Sequence, residues 1–469
     1  MSAFDVIVVG AGAVGSAIAS ALTRQGARVA IVEANRDVGA GTSKANTAIW
    51  HTGFDAKPGS LESRLVARGH RLLEERADEF DWPIERTGAV LVAWDETQLA
   101  RLDDIIATAV ANGYTRARQM TPDEVYAGDP HLGPGVRGGV SIPDEGLLDP
   151  WTISIALATD AVVNGAQLFL NSPVTDVEQT PAGYLVRTST GDITATWLVN
   201  AAGLGSDLLD RAAGHDGFTI TPRRGQLIVY DKAARDLVRH IILPVPTATT
   251  KGVLVAPTVY GNVLLGPTAE DLHDRTATDT TADGMDFLLG HGRRILPELL
   301  DMEVTATYAG LRAATEHTDY CYAVFDRYVR VAGIRSTGIS SCLAIAEQVV
   351  GDLAEAGLTM TPLTSPRTVR MPNLAEDRLR PYADAARIAA DSAYGDLVCL
   401  CERVSAGEIR DALASPIPPS DVDGLRRRTR AIAGRCQGFH CGARVTAMFA
   451  KRSGSAAPTA IQIAREGPQ

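Results

Sequence analysis

No stretch of this chain reaches the roughly 18 uninterrupted apolar residues that a helix needs to cross a bilayer, so no membrane span is expected. Positive charge is not in excess either. Lys and Arg number 45 against 56 Asp and Glu, a net charge of −11, which argues against wholesale nucleic-acid binding. Cysteine is scarce, at six in 469 residues, and four of the six crowd into the last sixth of the chain. The apolar N-terminal stretch VIVVGAGAVGSAIASAL lacks the basic n-region of a signal peptide and is dense in glycine. The cytoplasm is therefore the expected address. In that reducing compartment, clustered cysteines point to a metal or redox site rather than a disulfide framework. There are no internal repeats. What remains is the composition of a soluble globular protein, on a chain long enough for two or three domains.

The N-terminal segment DVIVVGAGAVGSAIASALTRQGARVAIVEANR reads as strand, turn, helix and strand. Val6 to Val9 form the continuous apolar run of a strand buried on both faces. Ala17, Ile18, Ala21 and Leu22 then recur at helical spacing, and Gly26 supplies the stop. Gly10, Gly12 and Gly15 have the G-x-G-x-x-G spacing of a dinucleotide fingerprint. In such a turn the first glycine permits the bend, the second lets a pyrophosphate approach the backbone, and the third lets helix and strand pack closely. The first-turn N–H groups face the phosphates, and Glu33 ends the second strand where it can accept from ribose hydroxyls. The glycine spacing alone would also suit another α/β turn; here strand, helix and acid agree with it.

An acid at position 33 disfavours NADP but does not separate FAD from NAD. The following segment, GAGTSKANTAIWHTGFDAKPGSL, does. It resembles the D-amino-acid-oxidase-type FAD superfamily, in the branch of glycerol-3-phosphate dehydrogenases and L-2-hydroxyglutarate oxidases. The resemblance implies cofactor contacts for Gly10, Gly12, Ala13, Val14, Gly15 and Glu33, then for Thr42, Ser43 and Asn46, with His51 beside the flavin. The strand-turn VNAAG adds Ala202 and Gly203 on the adenine side. The stretch YVRVAGIRSTGISS adds Gly333, Ser336, Thr337, Gly338 and Ile339, at a helix N-terminus that can stabilise negative charge on the reduced ring.

The implied fold class is α/β: a discontinuous Rossmann-type FAD domain with an antiparallel-sheet substrate domain and a small helical C-terminal module. FAD-binding parts are expected at 1–80, 146–215 and 306–360, and substrate-domain parts at 81–145 and 216–305. A linker at 361–392, a cluster domain at 393–452 and a frayed tail at 453–469 complete the expected division. Local signals fit it. Ser60 and Asp149 read as helix caps, MTPDEV as a capping box with Pro122 at the first helical position, and TPAG as a hairpin turn.

Two cations are candidates for the substrate. Arg312, in AGLR, matches the arginine that grips the substrate's anionic group in this branch; the alternative is a structural ion pair. Lys251 matches a substrate-side lysine or is a solvated charge at a turn. His317 and Cys321 have no matching role, and Cys321 and Cys342 are expected to be buried thiols.

The last four cysteines are spaced C-x-C, 34 residues, C-x₄-C: Cys399, Cys401, Cys436 and Cys441. Zinc modules usually pair cysteines as C-x₂-C. Together with CERV, GEI and RCQGFHC, the pattern resembles the bacterioferritin-associated-ferredoxin type of [2Fe–2S] domain found in the large subunit of the anaerobic glycerol-3-phosphate dehydrogenase. Zinc remains the alternative. The basic run Arg426, Arg427, Arg428 and Arg430 is expected to be a solvated face rather than a nucleic-acid patch.

The resemblance implies oxidation of a secondary alcohol beside an anionic group. Arg312 would anchor the anion, and His51 would be either the base or a residue packed on the flavin. A one-electron cluster beside a two-electron flavin implies a dehydrogenase serving a quinone, a carrier protein or a partner redox subunit, with peripheral membrane association open. Glycerol 3-phosphate leads as substrate, with another polyol phosphate or a 2-hydroxy acid as rivals. A second class of reading is a non-catalytic redox subunit or sensor.

Overall fold

The computed structural model describes residues 4–246, 252–376 and 378–453. The first strand, Phe4–Val9, lies at the centre of an eight-stranded sheet. It runs parallel to Val29–Val32 on one side and to Gly191–Asn200 on the other. Gln167–Phe169 and Tyr328–Ala332 extend the sheet outward, also in parallel. Strands from three distant stretches of sequence thus share one sheet, as a discontinuous domain requires. Val6, Ile7 and Val8 are wholly buried because both faces are covered. On one face, helices Ala13–Arg24, Leu61–Phe80, Pro150–Val163 and Gly338–Glu355 pack through Ile18, Leu22, Leu73, Ile153 and Ile345. On the other, Ile7, Val9, Ala30 and Val32 pack with Tyr184, Val186 and Leu209.

A nine-stranded sheet forms the second domain. It is antiparallel except where Ile241–Pro244 runs parallel to Ala89–Ala93. The two strands come from separate passes of the chain through this domain, so no hairpin dictates their direction. The long strands Thr221–Tyr230 and Val304–Ala314 pair along their length and carry Arg223 opposite Arg312. A small third sheet, of Ile49–Trp50, Ile84–Glu85 and Gly146–Leu148, joins segments assigned from sequence to different domains.

The C-terminal module is a short hairpin, Leu397–Cys399 with Val404–Ser405, followed by helices Ala406–Leu413, Val422–Thr429 and Gly442–Ser453. Its own core contains Val398, Ile409, Leu425 and Val445. Ser405 and Glu408 form a reciprocal capping box at the first of these helices. The expected linker is not a free tether. Leu363 N–H donates to Arg24, Met371 N–H donates to Phe80, and Leu374 and Ala375 are buried in the second domain. Arg380 is buried against Glu408. From residue 454 onward, the expected tail lies outside the described residues.

Candidate functional site

The glycine turn is built as its spacing demands. Gly10 has φ +107°, and a Cβ there would lie 2.4 Å from the Ala201 carbonyl oxygen. A Cβ on Gly15 would lie 1.8 Å from the Gly10 carbonyl oxygen, so helix and strand could not close. At Gly12 a Cβ would meet only Ser43 Oγ, at 3.1 Å, so the space before the loop is open. The helix Ala13–Arg24 has no side-chain cap; Ser43 Oγ takes the Ala13 N–H at 3.0 Å, from the segment after the acidic strand. The helix Gly338–Glu355 also lacks a side-chain cap, although Thr337 stands at its N-cap. Two helix N-termini without a cap from their own N-cap residue and an open glycine turn fit a cofactor carrying phosphates and a ring that becomes anionic.

Other expected cofactor residues take more structural roles. Glu33 accepts the Ala11 N–H at 2.7 Å on one oxygen and Asn35 on the other, tying the acid to the loop head. Asn46 spends its amide on Ser43 O and its oxygen on Ala48 N–H, shaping the turn. Thr42 donates to Leu311 O, and Thr337 bonds Glu62 and Tyr320. Ala202 N–H donates to Asn200 Oδ1 at the start of the turn that holds Gly203. Ser336 is exposed, Ile339 packs on the large core, and Gly333 turns against Cys321.

Arg312 is brought to this region because its strand runs against the 42–46 segment. Thr42 bonds Leu311 O, and the Tyr308 hydroxyl donates to Asn46 O. Its guanidinium makes no ion pair or hydrogen bond among the described residues. Burial, with Arg223 nearby, lowers its pKa from the ordinary arginine value. Gly225 on the paired strand makes room for it: a Cβ there would lie 2.9 Å from Arg312 Nη2. A buried cation without a counter-ion is costly unless something anionic arrives. Lys251 lies outside the described residues.

His51 is held on three sides. Its backbone N–H donates to Ser340 Oγ at 2.9 Å, which ties it to the first turn of the helix Gly338–Glu355. The preceding Trp50 stacks on His70 with ring centroids 3.8 Å apart. Its Nδ1 lies 3.1 Å from Glu145 Oε2. Glu145 is fully buried, and its other oxygen accepts Thr52 N–H at 2.6 Å and the Thr52 hydroxyl at 2.9 Å. Sequence reasoning missed Glu145, because nothing in PDEG marks it.

The four C-terminal cysteines converge. Cys399 hydrogen-bonds Cys441, and Cys401 hydrogen-bonds Cys436. Cys399 and Cys441 are buried, whereas Cys401 and Cys436 are half-buried. Backbone N–H groups of Glu402 and Ile432 point at Cys399, and those of Gly438 and His440 point at Cys436. The Cys441 hydrogen bond, against burial, lowers the Cys399 thiol to about 6. Among the described residues no three His, Cys, Asp or Glu side chains form a single-ion site. Two thiol pairs ringed by N–H donors fit a cluster that takes two sulfurs on each of two irons. Cys342 is buried and its pKa is pushed up to about 12 by that burial; Cys321 is half-buried and also raised by burial. His317 is exposed and bonds Gly217 O.

The basic run is not a solvated face. Arg427, Arg428 and Arg430 are 2%, 5% and 3% exposed. Arg427 and Arg428 both grip Asp37, at 2.9 and 2.6 Å, on the loop just after Glu33. Arg430 bonds Glu402 at 2.8 Å and lies 3.8 Å over the Tyr260 ring. Only Arg426 keeps a half-exposed position, paired with Asp423. The expectation failed because Asp37 and Tyr260 lie in other domains and Glu402 lies 28 residues away in the module itself, none of which local spacing can show.

Comparison with known proteins agrees with this geometry. Residues 5–351 match the FAD dependent oxidoreductase family, and residues 397–451 match the BFD-like [2Fe–2S] binding domain, which sets zinc aside. The chain is 36% identical over 457 residues to a glycerol 3-phosphate dehydrogenase of Caloramator mitchellensis, covering 96% of this chain and 95% of that one. It is 29% identical over 272 residues to an L-2-hydroxyglutarate dehydrogenase of Indibacter alkaliphilus, covering 57% of this chain and 68% of the relative. A solved structure of dithionite-reduced L-α-glycerophosphate oxidase from Mycoplasma pneumoniae, with FAD bound, superposes with a TM-score of 0.75 at 27% identity. That match covers 80% of this chain and all of the other.

Proposed function

Since the chain belongs to the FAD dependent oxidoreductase family and ends in a BFD-like [2Fe–2S] domain, we propose that it oxidises the secondary alcohol of glycerol 3-phosphate to a ketone. The observation that carries this reading is Arg312, a half-buried, desolvated guanidinium with no anionic partner among the described residues. A phosphate or carboxylate on the substrate is the missing partner, bound through two oxygens in the guanidinium plane.

Bound FAD supplies the two-electron acceptor for the hydride on the carbinol carbon. Arg312 fixes the anionic end of the substrate, so the carbon bearing the hydroxyl is presented in one orientation. His51 stands at the first turn of the helix Gly338–Glu355 and is the titratable group suited to take the hydroxyl proton. Gly10, Gly12, Ala13, Val14 and Gly15 would hold the pyrophosphate, and Gly338 and Ile339 the ring edge. Cys399, Cys401, Cys436 and Cys441 would hold the cluster, which would supply one-electron transfer toward a quinone or carrier protein. No helix among the described residues is long and apolar enough to cross a membrane.

Glycerol 3-phosphate is favoured because the relative of that name aligns with this chain over nearly its full length, cysteine module included. The test is anaerobic titration of the purified holoprotein. Glycerol 3-phosphate should bleach the flavin's visible absorption. Bleaching by L-2-hydroxyglutarate instead would move the assignment to 2-hydroxy acids, and bleaching by neither would leave a non-catalytic redox subunit.

A further inference from the structure

The strand Ile49–Trp50 and the strand Gly146–Leu148 are antiparallel, with Trp50 facing Gly146. One step further along this ladder His51 meets Glu145. Two short strands, 94 residues apart in sequence, therefore exist where they juxtapose an imidazole and a carboxylate. We propose that Glu145 is a positioning residue that fixes the tautomer and orientation of His51, so that Nε2 presents its lone pair to the substrate hydroxyl. This rests on the alcohol oxidation proposed above.

The assignment follows from counting donors and acceptors. Glu145 Oε1 is occupied by two donors, Thr52 N–H and the Thr52 hydroxyl. Its Oε2 faces His51 Nδ1, so a carboxylate there requires the proton to sit on Nδ1. Nε2 is then unprotonated, and it has no partner among the described residues. The His51 side chain keeps 21% of its surface exposed while Glu145 keeps none, so the open end of the pair is Nε2. The backbone that carries the imidazole is fixed, because the His51 main-chain N–H is tied to Ser340 and the neighbouring Trp50 is stacked on His70. In the reaction the substrate O–H bond breaks and an N–H bond forms at Nε2. Bound FAD would supply the acceptor for the hydride on the same carbon, so that the alcohol carbon becomes the ketone. The imidazolium so formed is stabilised by the buried carboxylate on its other nitrogen.

Glu145→Gln is the discriminating variant. A backbone N–H can only donate, so Thr52 holds the amide oxygen on its side, and the amide NH₂ must face His51. Nδ1 then has to accept, and the proton moves to Nε2, where it blocks base catalysis. In the wild-type holoprotein, long-range ¹⁵N–¹H spectra of histidine-labelled protein should show His51 protonated on Nδ1. In Glu145→Gln the proton should be on Nε2, with kcat on glycerol 3-phosphate lower by at least about a hundredfold and KM changed by less than about threefold. A wild-type His51 protonated on Nε2, or a folded Glu145→Gln with unchanged kcat, overturns the proposal. The wild-type spectrum needs neither substrate nor variant, so it decides the pairing even if no alcohol is oxidised and the functional reading fails.

Discussion

Two sets of desolvated arginines, one fully buried and one half-buried, show what loss of water means in this molecule. At the junction of the cluster module, Arg427, Arg428 and Arg430 are each met by a carboxylate: Asp37 for the first two, Glu402 for the third. In the second domain, Arg312 is met by none. Both sets cost desolvation, but only the junction recovers it within the chain. A paired buried arginine holds modules together; an unpaired one waits for a ligand. The same side chain thus reads as structure in one place and as a binding site in the other.

The largest effect is expected where the pairing is broken. Asp37→Ala strips the shared counter-ion from Arg427 and Arg428 together, leaving two buried guanidiniums uncompensated. Removing one partner of a buried pair typically costs about 3–5 kcal/mol. Because Asp37 sits on the loop that follows Glu33, and Lys44 of the same segment pairs with Asp423 at 3.1 Å, the damage reaches the cofactor loop. The variant should show a urea midpoint well below wild type and weaker FAD retention on gel filtration. Unchanged flavin content at the lower midpoint would mean that the junction stabilises the fold without supporting the flavin site.

That outcome bears on how much the sequence could reveal. Features set by neighbours in the chain were legible: the glycine turn, the Ser60 and Asp149 caps, the Thr121–Glu124 capping box and the four-cysteine spacing. The burial of Val6 to Val9 on both faces followed from their apolar run. Asp37 with Arg428 was not legible, since 391 residues separate them. Glu145 with His51 was hidden for the same reason. Four arginines in five positions look like a solvated stripe until the surface that covers them is known. Arg312 was found through its family context; composition could not have distinguished it from any other arginine.

A smaller loss is expected from Arg312→Ala, and in the opposite register: activity falls while stability holds. Losing a hydrogen bond to a charged group costs roughly 1.5–3 kcal/mol, and a misplaced reacting carbon adds to it. A fall of at least about a hundredfold in kcat/KM on glycerol 3-phosphate is expected, with the flavin spectrum and urea midpoint unchanged or slightly improved. Arg312→Lys should recover little, because a point charge does not reproduce the planar fork. Normal turnover in Arg312→Ala would remove it from the substrate site and end the contrast with the junction.

Mild acid should give the smallest effect, and it separates the two sets without any substitution. Burial opposes ionisation of Glu402, but Arg430 and Lys232 hold its pKa below the ordinary glutamate value. Asp423 is likewise held well below the usual carboxylate range, by Arg426, Lys44 and Arg427 acting against burial. A carboxylate whose folded pKa is depressed contributes stability that is fully present above its unfolded value of about 4. That stability is lost as pH falls through the folded pKa. The urea midpoint should therefore be flat from pH 7 to about 5 and decline below about 4. Arg312 has no carboxylate partner to protonate, so Arg312→Ala should follow the same curve as wild type. Asp37→Ala keeps Glu402 and Asp423, so its curve should start lower and still decline. A midpoint that stays level well below pH 4 in the wild type would show that these two acids contribute little at the junction.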